Sequence, residues 1–258
     1  MTARDDDREL VEHRIRELGE RYALTPKARG QLATLLWTLA ADPLAPTTVT
    51  DPRRALEDHI ADSLVALELE AASAAVEIAD LGAGAGFPGL VLAIARPLAH
   101  VSLVESSNRK CEFIVNAARV SSIANATAIH TRAEAWPEGH ERFDLVTARA
   151  LAPLPVVAEY AAPLLKIGGT LVVWRGKREP SEEQAAARAA AELGLEPAEP
   201  LEVKPYPQAR NRHLHALLKV RSTPPRFPRR PGVARKRPLG RSREQAGSRA
   251  APSDREQR

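Results

Sequence analysis

Apolar side chains recur at helical spacing through the first part of the chain. Leu10, Val11, Ile15 and Leu18 share one face of a helix predicted over 7–21, and Pro26 opens a second through Leu32, Leu35, Leu36 and Leu39 that ends near Asp42-Pro43. Asp51-Pro52 reads as an N-cap with proline in the first turn, and the third helix it starts is predicted to run past His59, Asp62 and Leu69. From Val76 onward the period changes. Val76, Ile78, Ala79 and Leu81 predict a short buried strand, and residues 90–95 a helix stopped at Arg96-Pro97. Strands at 99–104, 126–130, 143–148 and 170–174 then alternate with helices at 108–120, 156–165 and 181–193. Segments 199–204 and 213–220 predict an antiparallel pair closing the sheet. Such alternation predicts an α/β fold with a mostly parallel sheet covered on both faces, one end capped by the three leading helices.

The link between the first predicted strand and its helix is Gly82-Ala83-Gly84-Ala85-Gly86-Phe87-Pro88-Gly89. Glycines at alternate positions carry no Cβ, so backbone there can approach a ligand closely. Strand, glycine loop and helix form the entrance to a nucleotide-type cofactor site at the carboxyl ends of parallel strands. Two cofactors compete. Gly84 to Gly89 fits the dinucleotide pattern G-x-G-x-x-G, a weak match taken alone. Asp80 followed by Gly82, Gly84 and Gly86 fits the S-adenosylmethionine loop of Rossmann-like methyltransferases. Pro88 disfavours helix at Phe87, so the helix starts at Pro88 or later and the loop is wide, which favours the methyl donor. Glu105, at the end of the second predicted strand and 23 positions after Gly82, can accept hydrogen bonds from a ribose, which both cofactors contain.

The chain has 258 residues, 44% of them hydrophobic, enough for one large core. No apolar run reaches a membrane span, and the acidic first nine residues lack the apolar segment of a signal peptide. Cys111 is the single cysteine, so no internal disulfide can form, and a cytoplasmic location is the default. No His/Cys/Asp cluster has metal-ligand spacing, and no feature selects an oligomeric state beyond a default monomer. Charge is uneven. Residues 222–258 hold eleven Lys or Arg against three Asp or Glu, whereas the first 221 residues hold 26 against 30. A basic, proline-rich end on a mildly acidic body points to a polyanion partner. Residues 224–239 are expected to form an ordered RNA-facing arm and 240–258 a disordered tail.

Three segments carry a family resemblance. Asp80-Leu81-Gly82-Ala83-Gly84-Ala85-Gly86-Phe87-Pro88-Gly89, Thr147-Ala148-Arg149-Ala150-Leu151-Ala152 and Trp174-Arg175-Gly176-Lys177 resemble those of the bacterial RsmG (GidB) methyltransferases. His59-Ile60-Ala61-Asp62-Ser63, Arg212-His213-Leu214 and 227–232 extend the likeness over roughly Arg8 to Leu239. The resemblance implies a Rossmann-like class I methyltransferase fold with a helical N-terminal cap, divided as 1–72 (cap), 73–221 (methyltransferase domain) and 222–258 (basic arm and tail). It implies transfer of a methyl group from S-adenosylmethionine to N7 of a guanine in 16S ribosomal RNA, on free RNA or a small-subunit precursor. It also implies cofactor contacts from Gly82, Gly84, Phe87, Glu105, Ala133, Glu134 and Arg149. Ala45-Pro46-Thr47 and Asp58 depart from the family pattern, at places that bear on RNA contact rather than on the cofactor.

The residues agree with that chemistry. N7 of guanine has an in-plane lone pair and no proton, so alkylation needs positioning rather than a general base. No Asn/Asp-Pro-Pro-aromatic motif follows the fourth strand, against an exocyclic amine target. Cytosine C5 methylation needs a nucleophilic cysteine, and Cys111 falls within a predicted helix. Arg149, at the end of the fourth strand, is the leading catalytic candidate, able to bind the cofactor carboxylate or the acceptor edge of guanine; its replacement by alanine is expected to cut transfer with little change in melting temperature. His59 with Asp62, Arg175, and Arg212 with His213 are candidates for the RNA entrance. A nicotinamide-dependent oxidoreductase and a non-catalytic RNA-binding protein are the rival readings.

Overall fold

The computed structural model describes residues 3–240, with side chains from Asp7 onward, so most of the basic tail expected at 240–258 lies outside the described residues. Parallel strands β1 (Glu77–Leu81), β2 (His100–Glu105), β3 (Ala126–His130), β4 (Phe143–Arg149) and β5 (Leu165–Arg175) stand in the order β3-β2-β1-β4-β5. β8 (His213–Lys219) runs antiparallel to β5 and pairs in turn with β6 (Leu195–Pro197) and β7 (Leu201–Glu202). The antiparallel closure by 199–204 and 213–220 is therefore present, and β6 is a strand the sequence did not signal. The direction of winding reverses between β1 and β4, which opens a crevice at their carboxyl ends.

Period-two alternation explains why the sheet needs two covers. Ile78, Val101, Leu103, Leu145 and Val172 project to one side, where α6 (Gly89–Ala95) and α7 (Asn108–Val120) pack. Ala79, Leu81, Val104, Val146, Leu171 and Val173 project to the other, against α8 (Leu154–Ala161) and α9 (Pro180–Leu193). The leading helices α1 (Ala3–Arg21) and α2 (Pro26–Ala41) bury Val11, Ile15, Leu18, Leu32, Leu35 and Leu36 in the first of these cores. α2 meets α6 and α7, so these helices thicken one face of the domain.

The third predicted helix is present but not uniform. Asp51 caps α3 (Pro52–Ala55) by accepting from the Arg54 amide at 2.8 Å. The turn over Leu56–Ala61 then widens to π geometry, with the amide of Asp62 reaching back to the carbonyl of Glu57. A short α4 (Asp62–Leu64) and a tighter 3₁₀ turn (Val65–Glu68) follow. Leu69 is extended and ends the run, and α5 (Glu70–Ala74) begins anew, so the helix stops at Leu69 rather than passing it.

Candidate functional site

Asp80 on β1 fixes the glycine loop from below. It is wholly buried, accepts from the Gly89 amide at 2.9 Å through Oδ2, and receives the Thr147 hydroxyl from neighbouring β4 at 2.9 Å through Oδ1. Burial pushes its carboxyl up to about 6, against the pull of those two hydrogen bonds. The loop above it is stitched to β2, where the Val104 carbonyl accepts from Gly82 at 2.8 Å. Gly82 has φ +68, and a Cβ there would come within 2.6 Å of Leu151 Cδ1. A side chain at this point is opposed by the left-handed backbone and would also have to displace the Leu151 side chain. Gly84 also has positive φ, yet nothing lies closer than 3.8 Å to a Cβ built on it, so the loop presents bare backbone to the cavity.

Glu105 ends β2 beneath this loop. Its Oε2 accepts from the Gly84 amide at 3.1 Å, its Oε1 from the Ser107 amide at 2.9 Å, and Lys110 Nζ stands 3.8 Å away. These bonds orient the carboxylate and leave lone pairs for hydroxyl donors. It opens on a cavity of about 310 Å³ bounded also by Gly82, Thr131, Ala133, Glu134 and Leu151. Ala133 and Glu134 form a 3₁₀ turn after β3, and Glu134, though buried, is held by Arg132 at 2.6 Å.

A second and larger space, about 580 Å³, adjoins the first across Gly82, Lys110 and Ala150. Arg149 lines it. From the end of β4 its Nη1 donates to the Asp62 carboxylate and to the Asp58 carbonyl, each at 2.9 Å, while Nη2 lies 3.4 Å from His59 Nδ1. The His59 ring stacks on Phe87 with centroids 4.8 Å apart, and its Nε2 is 3.0 Å from Thr47 Oγ1. Burial and the Arg149 charge together bring the imidazole down to about 4, so it is neutral near pH 7. Opposite Arg149, Arg212 Nε stands 3.7 Å from Asp62 Oδ1, and neither atom has a hydrogen-bond partner although both are closed to solvent. Tyr206 donates to Asp58 at 2.9 Å, and Arg54 pairs with the same carboxylate.

The expected site residues therefore converge. Gly82, Gly84, Phe87 and Arg149 line the larger space, and Glu105, Ala133 and Glu134 the smaller. His59, Asp62, Arg175, Arg212 and His213 also face the larger space, although Arg175 is already engaged with Glu182. Asp58, a departure from the family pattern, is built into the network through Tyr206 and Arg54. Sequence reasoning did not single out Lys110 or Tyr206, and named Thr47 only within the departure at Ala45-Pro46-Thr47. Lys110 carried a local signal, a cation in the first turn of the helix that follows the strand-end Glu105; Tyr206 carried none, since only the antiparallel closure brings it to Asp58. Cys111 lines neither space, and its thiol donates to the Glu105 carbonyl at 3.4 Å. Among the described residues, no group of three His, Cys, Asp or Glu is placed to hold a metal ion, and no helix is long and apolar enough to cross a membrane.

Comparison with known proteins agrees with this geometry. The family model for rRNA small subunit methyltransferase G (GidB) matches residues 42–214. Ribosomal RNA small subunit methyltransferase G of Synechococcus sp. (strain JA-3-3Ab) is 38% identical over 203 residues, covering 75% of this chain and 78% of the relative. The protein of that name from Rubrobacter xylanophilus is 38% identical over 195 residues, covering 73% and 75%. Among solved structures, the fibrillarin pre-rRNA processing protein of Methanococcus jannaschii superposes with a TM-score of 0.50 at 16% identity, covering 62% of this chain and 74% of that one. That likeness is one of fold.

Proposed function

The chain belongs to the rRNA small subunit methyltransferase G family, and from that membership and the paired cavities we propose that it methylates N7 of a guanine in 16S ribosomal RNA, in the cytoplasm, with S-adenosylmethionine as donor. The observation that carries this reading is the contact between the two spaces at Gly82 and Ala150. One is suited to a nucleoside and the other to an incoming base, with Gly82, Ala150 and the Lys110 side chain bordering both.

The residues fit the donor. Glu105 offers a carboxylate to ribose hydroxyls, Ala133 and Glu134 border the adenine end, and the bare Gly82–Gly84 backbone admits the chain that carries sulfur. When bound, S-adenosylmethionine supplies a methyl group on a cationic sulfur. The protein's own part is placement. A donor aimed at N7 would occupy the lone pair that must attack, so Arg149 serves at guanine O6 or at the donor's carboxylate. Asp62 and the Asp58 carbonyl hold its guanidinium in place. No proton has to leave N7, so no general base is required: His59 is neutral but a weak base, held down to about 4, and Asp80, raised to about 6, is buried beneath the loop and lines neither space. Acceleration rests on holding nucleophile and methyl in line.

Incubation with tritiated donor and small-subunit RNA, free or in precursor particles, followed by nucleoside analysis, tests the reading. The expected product is 7-methylguanosine; its absence from every substrate form would overturn the assignment. The family and the lack of any hydride-transfer pair after the glycine loop leave no support for the oxidoreductase alternative.

A further inference from the structure

The basic arm after β8 packs against its own domain. Phe227 and Ala234 are buried in the core that covers the α8 side of the sheet. Glu159 on α8 is fully buried, and Arg229 of the arm engages both its oxygens: the amide at 3.0 Å and Nε at 2.8 Å on one, with Nη2 on the other. Arg226 pairs with Glu192 on α9 at 3.0 Å, and the Gly240 carbonyl receives Arg188 at 2.7 Å. Several charges that suggest a polyanion partner in the sequence are thus spent on the protein's own acids and carbonyls.

This packing carries the stretch Gly232 to Arg235 to the nucleoside cavity. The Gly232 amide lies 3.3 Å from Glu134 Oε1, and Arg235 donates to the Leu151 carbonyl at 3.1 Å. Arg235 is itself one wall of the cavity that Glu105, Ala133 and Glu134 bound. The family match ends at residue 214, so this wall comes from chain beyond the matched region.

We propose that the C-terminal arm completes the cofactor cavity and that Arg235 is a binding residue for its purine nucleoside; this rests on the reading of that cavity given above. Leu151 anchors the guanidinium in the segment directly after Arg149, and the same leucine closes over Gly82. One arginine therefore touches both the mouth of the cavity and the segment between the two spaces. A planar, permanently charged, donor-rich head suits the face and ring nitrogens of a purine, which a flexible ammonium matches poorly. The arm couples donor binding to the last part of the chain.

Calorimetry of the full chain with S-adenosylhomocysteine decides the matter, alongside RNA binding at several salt concentrations without that ligand. Arg235→Ala should weaken S-adenosylhomocysteine about tenfold, Arg235→Lys should restore little of it, and both should melt near the parent temperature without ligand. Arg230→Ala, an arm arginine that does not line the cavity, should leave that affinity unchanged. Equal affinity of parent and Arg235→Ala for S-adenosylhomocysteine would overturn the inference alone. So would an RNA salt dependence shallower by about one charge with unchanged ligand affinity, the mark of a phosphate contact. A parent chain that binds no S-adenosylhomocysteine would overturn the functional reading and this inference together.

Discussion

The guanidinium of Arg149 lies 3.4 Å from Nδ1 of His59, whose other ring nitrogen lies 3.0 Å from Thr47 Oγ1. An arginine has only donors, so Nδ1 accepts and the proton of the neutral ring sits on Nε2, donated to the threonine. The interaction exists only while the ring is uncharged. In the unfolded chain the imidazole takes a proton near its ordinary 6.5, in the folded chain only near 4. Between those values the unfolded state binds more protons, so stability falls as pH drops through that window and the loss is complete below 4. Comparing the parent with His59→Gln from pH 7 to pH 4 in denaturant titrations, the parent should lose about 2 kcal/mol more than the variant.

Removing Arg149 strands Asp62. The carboxylate is buried, its Oδ2 bond at 2.9 Å disappears, and Arg212 stands too far off to replace it without movement. Breaking a buried pair from one side costs about 3–5 kcal/mol, so Arg149→Ala should lower the melting temperature as well as methyl transfer. This revises the expectation, drawn from sequence, of an unchanged melting temperature. The double substitution Arg149→Ala with Asp62→Ala should regain part of the stability while transfer stays low, as thermal melts and labelled-methyl assays would show.

Two glycines of one loop should respond differently to alanine. At Gly82 the new Cβ meets Leu151 Cδ1 at 2.6 Å and the backbone is left-handed, whereas at Gly84 only the left-handed backbone opposes it. Gly84→Ala should cost about 1–2 kcal/mol, and Gly82→Ala more. Calorimetry with S-adenosylhomocysteine should find binding weakened in both, because a methyl group then faces or displaces the cavity wall.

Asp80→Asn should alter pH dependence more than stability. The folded carboxyl titrates near 6 against an ordinary 3.8, so the folded state binds more protons between those values and stability falls as pH rises through them. Asparagine keeps an acceptor for the Gly89 amide and can donate to the Thr147 hydroxyl oxygen. Urea midpoints of the variant should therefore lack that decline and, at pH 8, equal or exceed the parent. Asp80→Ala, which leaves the buried Gly89 amide without its partner, should lose about 1–3 kcal/mol in the same titration.

Arg229→Ala should destabilise the chain by about 3–5 kcal/mol, since Glu159 would remain fully buried with only an amide to satisfy it. Glu159→Gln, which keeps an acceptor and removes the charge, should cost less. Thermal melts of the two variants give the order.

What was legible in the sequence was local or periodic. Alternation of strand and helix predicted a mostly parallel sheet covered on both faces, Asp51-Pro52 the helix start, and Gly82 to Glu105 the donor side of the site. Three things were not legible because long-range contacts decide them. The widened turn at Leu56–Ala61 has no signature in residue types alone. Tyr206 reaches Asp58 only through the antiparallel closure. Phe227, amid arginines and prolines, falls in a segment read as an RNA-facing arm, yet its ring is buried in the core on the α8 and α9 side of the sheet. Arg235 was read, with its neighbours, only as a positive charge.

The π turn holds one residue more than a regular helix would fit into the same span, and that surplus sets a phase. Each position after it faces about 100° away from the bearing an unbroken helix would give. Asp62 follows at once, so its aim at β4 depends on a count as much as on a contact. Were the same residues rewound into a regular helix, the carboxylate would swing off its arginine with His59, Asp62 and Arg149 all still encoded, whereas loss of a single codon within that stretch would remove the surplus and let a regular helix fill the span with Asp62 still aimed at Arg149.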